Sequence, residues 1–377
     1  MPDAATKEGL LAGRRVALVH DWLTGMRGGE RVLESLCRML PDADLFTLVH
    51  VPGSVSKTIE SRRVRTSIVQ WLPLASRWYR QYLPTFPTAI ELFDLDGYDV
   101  VISTSHCAAK AVVPAGRAVH VCYCFSPMRY AWDQFDAYFG PERVGPARSA
   151  VYRRMLSWIA RWDRATAPRV TRFLADSEYV AGRIARYYNR QALVLYPPVD
   201  TAFFTPDGTQ AEPHFLVVSA LVPYKRIDLA IAAARQLGVP LKIVGGGPDE
   251  ARLRAMAGPT VEFLGTLDDE ALRREYRRAR ATILPAEEDF GIVPVEALAC
   301  GRPVVAFARG GACETVTPGA TGVLVDEATP EAFADGLREV SARAWDAARL
   351  RSEAERFSVD RFETAMRAVL AHAAATV

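Results

Sequence analysis

Hydrophobic residues along the 377-residue chain gather in short unbroken runs, and between the runs they recur at spacings of three and four. "RVALVH" (Arg15 to His20) is a run of the first kind, and "ERVLESLCRML" (Glu30 to Leu40) is a stretch of the second. "YDVVISTS", "AVHVCYCF" and "RFLADS" continue the pattern in the first half, and "HFLVVSA", "PLKIVGGG", "VEFLG", "RATILP", "RPVVAF" and "GVLV" in the second. Unbroken runs predict strands buried on both faces, and their alternation with helices predicts parallel sheets covered by helices. The proline-rich "YPPVDTAFFTPDGTQAEP" interrupts the pattern near mid-chain and is read as a linker. The predicted fold class is α/β, with two Rossmann-like doubly wound domains facing each other across a deep cleft. Ligands of such sheets sit beyond the carboxyl ends of the strands, so the loops there carry the candidate chemistry.

Half of the residues are hydrophobic, enough for two cores and too many for a disordered or fibrous chain. No run of eighteen apolar residues occurs, and the N-terminal "MPDAATKEGLLAGRR" has no apolar core of signal-peptide length, which together predict a cytoplasmic protein. Six cysteines without regular spacing read as reduced, apolar packers. Cys122 and Cys124 share one face of a strand, but no four-ligand set accompanies them, so no metal is expected. A net charge of +2 gives no argument for nucleic acid as a partner.

Several strand-end loops stand out. Gly28 and Gly29 follow the first strand and open a helix, where backbone N–H groups can hold a phosphate or simply turn the chain. His106 follows "YDVVISTS", placed either to exchange hydrogen bonds with a substrate hydroxyl or to pack. Lys225 and Arg226 precede an amphipathic helix, where a diphosphate or only solvent meets them. "KIVGGGPDEARL" has contiguous glycines, and no acidic residue ends the next strand, which argues against a dinucleotide-dependent dehydrogenase.

The segment "LPAEEDFGIVPVEALACGRPVVAF" places Glu288 on a loop at a strand's carboxyl end and Glu296 in the first turn of the helix that starts near Ile292. The positive end of that helix with Lys225 suits a diphosphate, and the two carboxylates suit hydroxyls on either side of it. A sugar–diphosphate–nucleoside fits that spacing; capping glutamates are the plainer alternative.

These segments resemble the family 4 glycosyltransferases of the GT-B fold. "EEDFGIVPVEALACG" is similar to the family's E-x7-E motif, and "VSALVPYKRIDLAI", "VGGGP" and "GGACETV" match its other donor-domain motifs in order. "HDWLTGMRGGERVLE", "SHCAAKAV", "CFSPMRYAWD" and "LADSEYVAGRIARYY" resemble the mannosyltransferase-like branch of bacterial surface-polysaccharide synthesis. The resemblance implies an acceptor-binding domain over 1–198, a donor-binding domain over 199–355, and a C-terminal helix over 356–377 that crosses back to the first domain. It implies that Glu288 binds the donor sugar near the backbone of Phe290, Gly291 and Ile292, that Glu296 holds the ribose, and that Lys225 neutralises the diphosphate with help from Gly28 and Gly29. His106 is implied at the reacting centre. Transfer would retain anomeric configuration by front-face attack, without metal or other cofactor, from a nucleotide sugar such as GDP-mannose to a polyprenyl-diphosphate-linked saccharide. The family carries an arginine where this chain has Ala220, and Arg226 or Arg27 is expected to take over its contact. A UDP-sugar donor, an epimerase of the same fold and a silent nucleotide-sugar-binding protein stay open; a phosphorylase would need a pyridoxal lysine site that is not evident.

Residues 62–90 carry five arginines and no acidic residue, interleaved with Trp71, Trp78, Tyr79, Tyr82 and Phe86. Such an insertion suits peripheral contact with an anionic membrane face or a lipid diphosphate, or else an irregular subdomain with its aromatics turned inward.

Overall fold

The computed structural model describes Leu11 and residues 13–375. Most of the N-terminal stretch read for a leader, residues 1–10 and 12, lies outside the described residues. The chain divides into two compact units, one built from residues 1–198 and 362–377 and the other from 199–361.

The first unit is built on seven parallel strands: β1 (Val16–His20), β2 (Asp44–Thr47), β3 (Val64–Thr66), β4 (Val100–Ser105), β5 (Val119–Cys124), β6 (Arg172–Ala175) and β7 (Ala192–Val194). Their order is β3-β2-β1-β4-β5-β6-β7. β1, β4 and β5 are buried at every position, as expected for central strands covered on both faces. One face is covered by α1 (Gly28–Met39), which buries Val32, Leu33 and Leu36. The opposite face is covered by residues 68–93, including α2 (Phe86–Glu91), and by α3 (Pro146–Thr166). α4 (Glu178–Tyr188) packs beside β6. Two buried polar groups hold this unit together. His120 on β5 lies between the Ser103 hydroxyl, 2.8 Å from Nε2, and the Arg169 carbonyl, 3.2 Å from Nδ1; burial lowers its pKa to about 4. Asp163 of α3 meets the Lys110 ammonium at 2.9 Å and accepts from Trp132 and Tyr188.

The second unit has six parallel strands, β8 (Phe215–Val218), β9 (Leu241–Val244), β10 (Val261–Gly265), β11 (Thr282–Leu284), β12 (Val304–Phe307) and β13 (Gly322–Val325), in the order β10-β9-β8-β11-β12-β13. Its helices are α5 (Ile227–Leu237), α6 (Glu250–Met256), α7 (Asp269–Arg278), α8 (Ile292–Ala299), α9 (Pro330–Ala342) and α10 (Ala347–Ala354). The proline-rich stretch is ordered on this unit. Arg351 donates to the Thr201 carbonyl at 3.0 Å, Arg277 to that of Thr205 and Arg302 to that of Thr209, each at 2.5 Å. Those arginines satisfy carbonyls that an irregular chain leaves without ladder partners.

The last helix, α11 (Val359–Ala374), puts Phe362, Met366, Val369, Leu370 and Ala373 into the core of the first unit, beside Leu33, Leu36 and Tyr123. The return starts at Phe362 rather than at 356, because residues 355–357 stay with the second unit, where Phe357 packs edge-on against Phe290. No helix among the described residues is long and apolar enough to cross a membrane. All six cysteines are free thiols, five of them buried.

Candidate active site

In the first sheet the strand order reverses between β1 and β4, and at such a switch point the loops beyond the two strands part and leave room for a ligand. Asp21 follows β1 and His106 follows β4. The Asp21 carboxylate is fully buried and accepts the backbone N–H groups of His106, Cys107, Ala108 and Ala109 at 2.7 to 2.9 Å. Its Oδ2 also lies 3.1 Å from Nδ1 of His106. The neutral imidazole therefore donates from Nδ1, and Nε2 is the nitrogen left for a substrate hydroxyl. His106 packs edge-on against Trp22 at 4.5 Å and keeps 37% of its side chain exposed. Burial lowers its pKa, and the Asp21 charge only partly opposes this.

Beneath it lies a second histidine. His20 is fully buried, with Nδ1 2.7 Å from the Thr104 hydroxyl and Nε2 3.7 Å from Glu30. Glu30 stands at the start of α1, where its other oxygen accepts the Arg27 N–H at 3.0 Å. Burial would raise the Glu30 pKa, but hydrogen bonding and the charge of His20 bring it below the ordinary value. Gly28 and Gly29 are the first residues of that helix, and a β-carbon on Gly29 would stand 3.2 Å from the Phe125 ring.

The second sheet reverses its order between β8 and β11. Lys225 ends a short turn after β8 and Glu288 lies on the loop after β11; they form an ion pair over that switch point, both largely buried. The Glu288 loop is held from the side: its carbonyl accepts the Gly311 N–H at 2.9 Å, and a β-carbon on Gly310 would be only 2.1 Å from that oxygen. The "GG" of "GGACETV" is thereby required sterically. α8 begins at Ile292 after Gly291, which has no side chain of its own to cap the helix. Phe290 is buried.

One expectation is corrected. Glu296 is in the second turn of α8, not the first, because the helix opens at Ile292 and no acidic residue falls in its first turn. There its Oε2 accepts from the buried Tyr276 hydroxyl at 2.7 Å. Arg226 adopts a left-handed conformation at the start of α5, and its guanidinium is engaged by Asp228 at 3.3 Å. Of the adjacent cations, Lys225 is the one paired over the switch point. Ala220 is exposed, as is Arg27.

The Glycosyltransferase Family 4 model matches residues 26–203 and the Glycosyl transferases group 1 model matches 201–357. The chain belongs to the family 4 glycosyltransferases of the GT-B fold. The chain is 33% identical to a GDP-mannose-dependent alpha-(1-6)-phosphatidylinositol monomannoside mannosyltransferase of Mycolicibacterium smegmatis, over 50% of this chain and 57% of that protein. It is 32% identical to a D-inositol 3-phosphate glycosyltransferase of Mycolicibacterium gilvum, over 45% and 44%. The chain thus matches about half the length of these curated relatives. Among solved structures, Anabaena HepE in complex with UDP-glucose superposes with a TM-score of 0.69 at 19% identity, over 95% of this chain and 99% of that one. Sucrose-phosphate synthase of Thermosynechococcus elongatus does so with a TM-score of 0.69 at 18% identity, over 97% and 100%.

Sequence reasoning passed over Asp21, Tyr276 and Asp228. Asp21 had a signal, an acidic residue directly after a fully apolar strand at what became a switch point. Tyr276 had none, since only tertiary packing brings it to Glu296.

Proposed function

We propose that this glycosyltransferase moves a sugar, with retention of configuration, from a nucleotide sugar to a lipid-linked saccharide, and that the donor is GDP-mannose. The Lys225–Glu288 pair over the switch point of the second sheet carries the reading. A bound diphosphate takes Lys225 and the first N–H groups of α8, which frees Glu288 to accept from sugar hydroxyls. Glu296, oriented by Tyr276, takes the ribose. The bond from the anomeric carbon to the diphosphate breaks, the acceptor hydroxyl adds on the same face, and its proton passes to the leaving phosphate. His106, with Nδ1 held by Asp21, accepts from a hydroxyl of the reacting sugar through Nε2. Lys225 and the helix N-terminus supply the positive charge that stabilises the leaving group, so transfer is expected to persist in a chelator.

The GDP-mannose dependence of the M. smegmatis relative favours GDP-mannose, and a polyprenyl diphosphate saccharide is the proposed acceptor class. The test is thermal shift against GDP-mannose, UDP-glucose and ADP-glucose, followed by product analysis with the stabilising donor and a polyprenyl diphosphate saccharide. An α-linked lengthened acceptor plus free GDP supports the reading. Stabilisation by UDP-glucose alone overturns the donor, a new nucleotide sugar indicates an epimerase, and binding without turnover indicates a silent protein.

A further inference from the structure

Large hydrophobic side chains exposed among the described residues are unevenly placed. None lies in the second unit, and all but Leu193 lie on segments that build the layer over one face of the first sheet. Ile68, Trp71, Leu74 and Trp78 belong to the insertion, and Trp71 is 84% exposed. The aromatics of that segment separate by role: Tyr79 and Phe86 are buried in the layer, whereas Trp71 and Trp78 stand outside it. Ile68 and Trp71 open and close one 3₁₀ turn, so both project to the same side.

The second element is α3. It buries Leu156 and Ile159 in the same layer and exposes Val151, at 68%, and Trp158, at 45%. These two are separated by two helical turns and so share an outer face, on which Arg154 and Arg161 are also exposed. α3 carries five arginines and one acidic residue, the buried Asp163. Residues 61–90 carry five arginines and no acidic residue. In α3, Arg153 is paired with Asp136 at 3.0 Å, and in the insertion Arg80 stacks over Tyr79 at 4.7 Å. Exposed tryptophans among arginines on two elements of one layer match the headgroup region of an anionic bilayer, where indole rings settle between water and acyl chains and guanidinium groups meet lipid phosphates.

We infer that this layer, the insertion together with the outer face of α3, docks the protein on an anionic lipid bilayer through Trp71, Trp78 and Trp158. The inference extends the lipid-linked acceptor reading by naming the surface that meets the lipid, and it is tested without any donor or acceptor.

The experiment is flotation of the full chain with phosphatidylcholine vesicles and with vesicles containing phosphatidylglycerol, at low and high salt. Three variants at exposed positions, Trp71→Ser, Val151→Ser and Trp71→Ser/Trp158→Ser, are compared with Leu193→Ser as control. Expected are binding to the phosphatidylglycerol vesicles only, weakening by salt, and a loss in affinity of about tenfold in the double variant, with Leu193→Ser unchanged. Binding to neutral vesicles alone, no binding by wild type, or wild-type binding by all variants overturns the inference. So does loss of vesicle binding in favour of RNA or of a self-associated dimer that Trp71→Ser disrupts. Donor thermal shift in the same preparations separates this outcome from failure of the transferase reading: a protein stabilised by donor that never floats refutes only the docking surface.

Discussion

Nδ1 of His106 lies 3.1 Å from Oδ2 of Asp21, and the same buried carboxylate gathers four consecutive backbone N–H groups of the His106 loop. One group therefore sets both the path of the loop and the tautomer of the imidazole.

Asp21→Asn keeps the shape but offers one acceptor oxygen where two served. It should lower kcat by at least about tenfold, the scale of a displaced reacting group. Burial already holds the His106 pKa below its ordinary 6.5, and Asp21 is the largest influence pushing it back up. Removing that charge lowers it further, so the acid limb of the kcat profile should move to lower pH. A fall in kcat with the limb unmoved would mark Asp21 as a loop support only. In the pair with His106→Ala the losses should be less than additive.

Lys225 and Arg226 are neighbours in sequence with different partners. Lys225→Ala should cut transfer at least about tenfold, whereas Arg226→Ala, losing a cation already engaged by Asp228, should change it by less than about threefold. Initial rates at saturating and limiting donor decide this, and equal losses would return Arg226 to the diphosphate. Glu288→Gln should match Lys225→Ala in effect on transfer.

Tyr276→Phe removes the hydroxyl that meets Glu296 while leaving the ring buried. The expected result is a rise in donor KM of roughly fivefold, about one hydrogen bond's worth, with kcat little changed. A change in kcat alone would move Glu296 from the ribose to the reaction.

His120 gives a pH term in stability. Its folded pKa of about 4 lies below the unfolded 6.5, so folding favours the neutral ring. The contribution is complete above pH 6.5 and is lost as pH falls towards 4, amounting to about 3 kcal/mol over that window. Denaturant midpoints of wild type and His120→Asn should therefore converge as pH falls from 7 to 4. Parallel curves would show that His120 does not remain neutral in the fold.

The central strands were legible because burial on both faces leaves unbroken apolar runs, as at Val16–His20 and Val100–Ser105. β2, β3 and β7 left no such trace: β2 opens on the half-buried Asp44, and β3 and β7 are sheet edges with half-exposed side chains. β3 lies inside the insertion, whose arginines masked it. Lys225 and Glu288 could be singled out from strand-end position, but their meeting depends on which strands are neighbours. The partners that orient the site, Asp21 and Tyr276, belong to contacts 85 and 20 residues apart in sequence, beyond the reach of local spacing.

The placement of Phe362, Met366 and Leu370 in the core of the first unit bears on how the chain is made. A polypeptide leaves the ribosome from its N-terminus, and domains ordinarily fold in that order. Here the second unit is contiguous and can close once residue 361 has emerged, while the first waits for α11, which follows the second unit in the chain. Until then the apolar face that α11 will cover is bare, and a nascent chain stalled before residue 362 is the form most exposed to chaperones and proteases. The half that starts first is thus the half that finishes last.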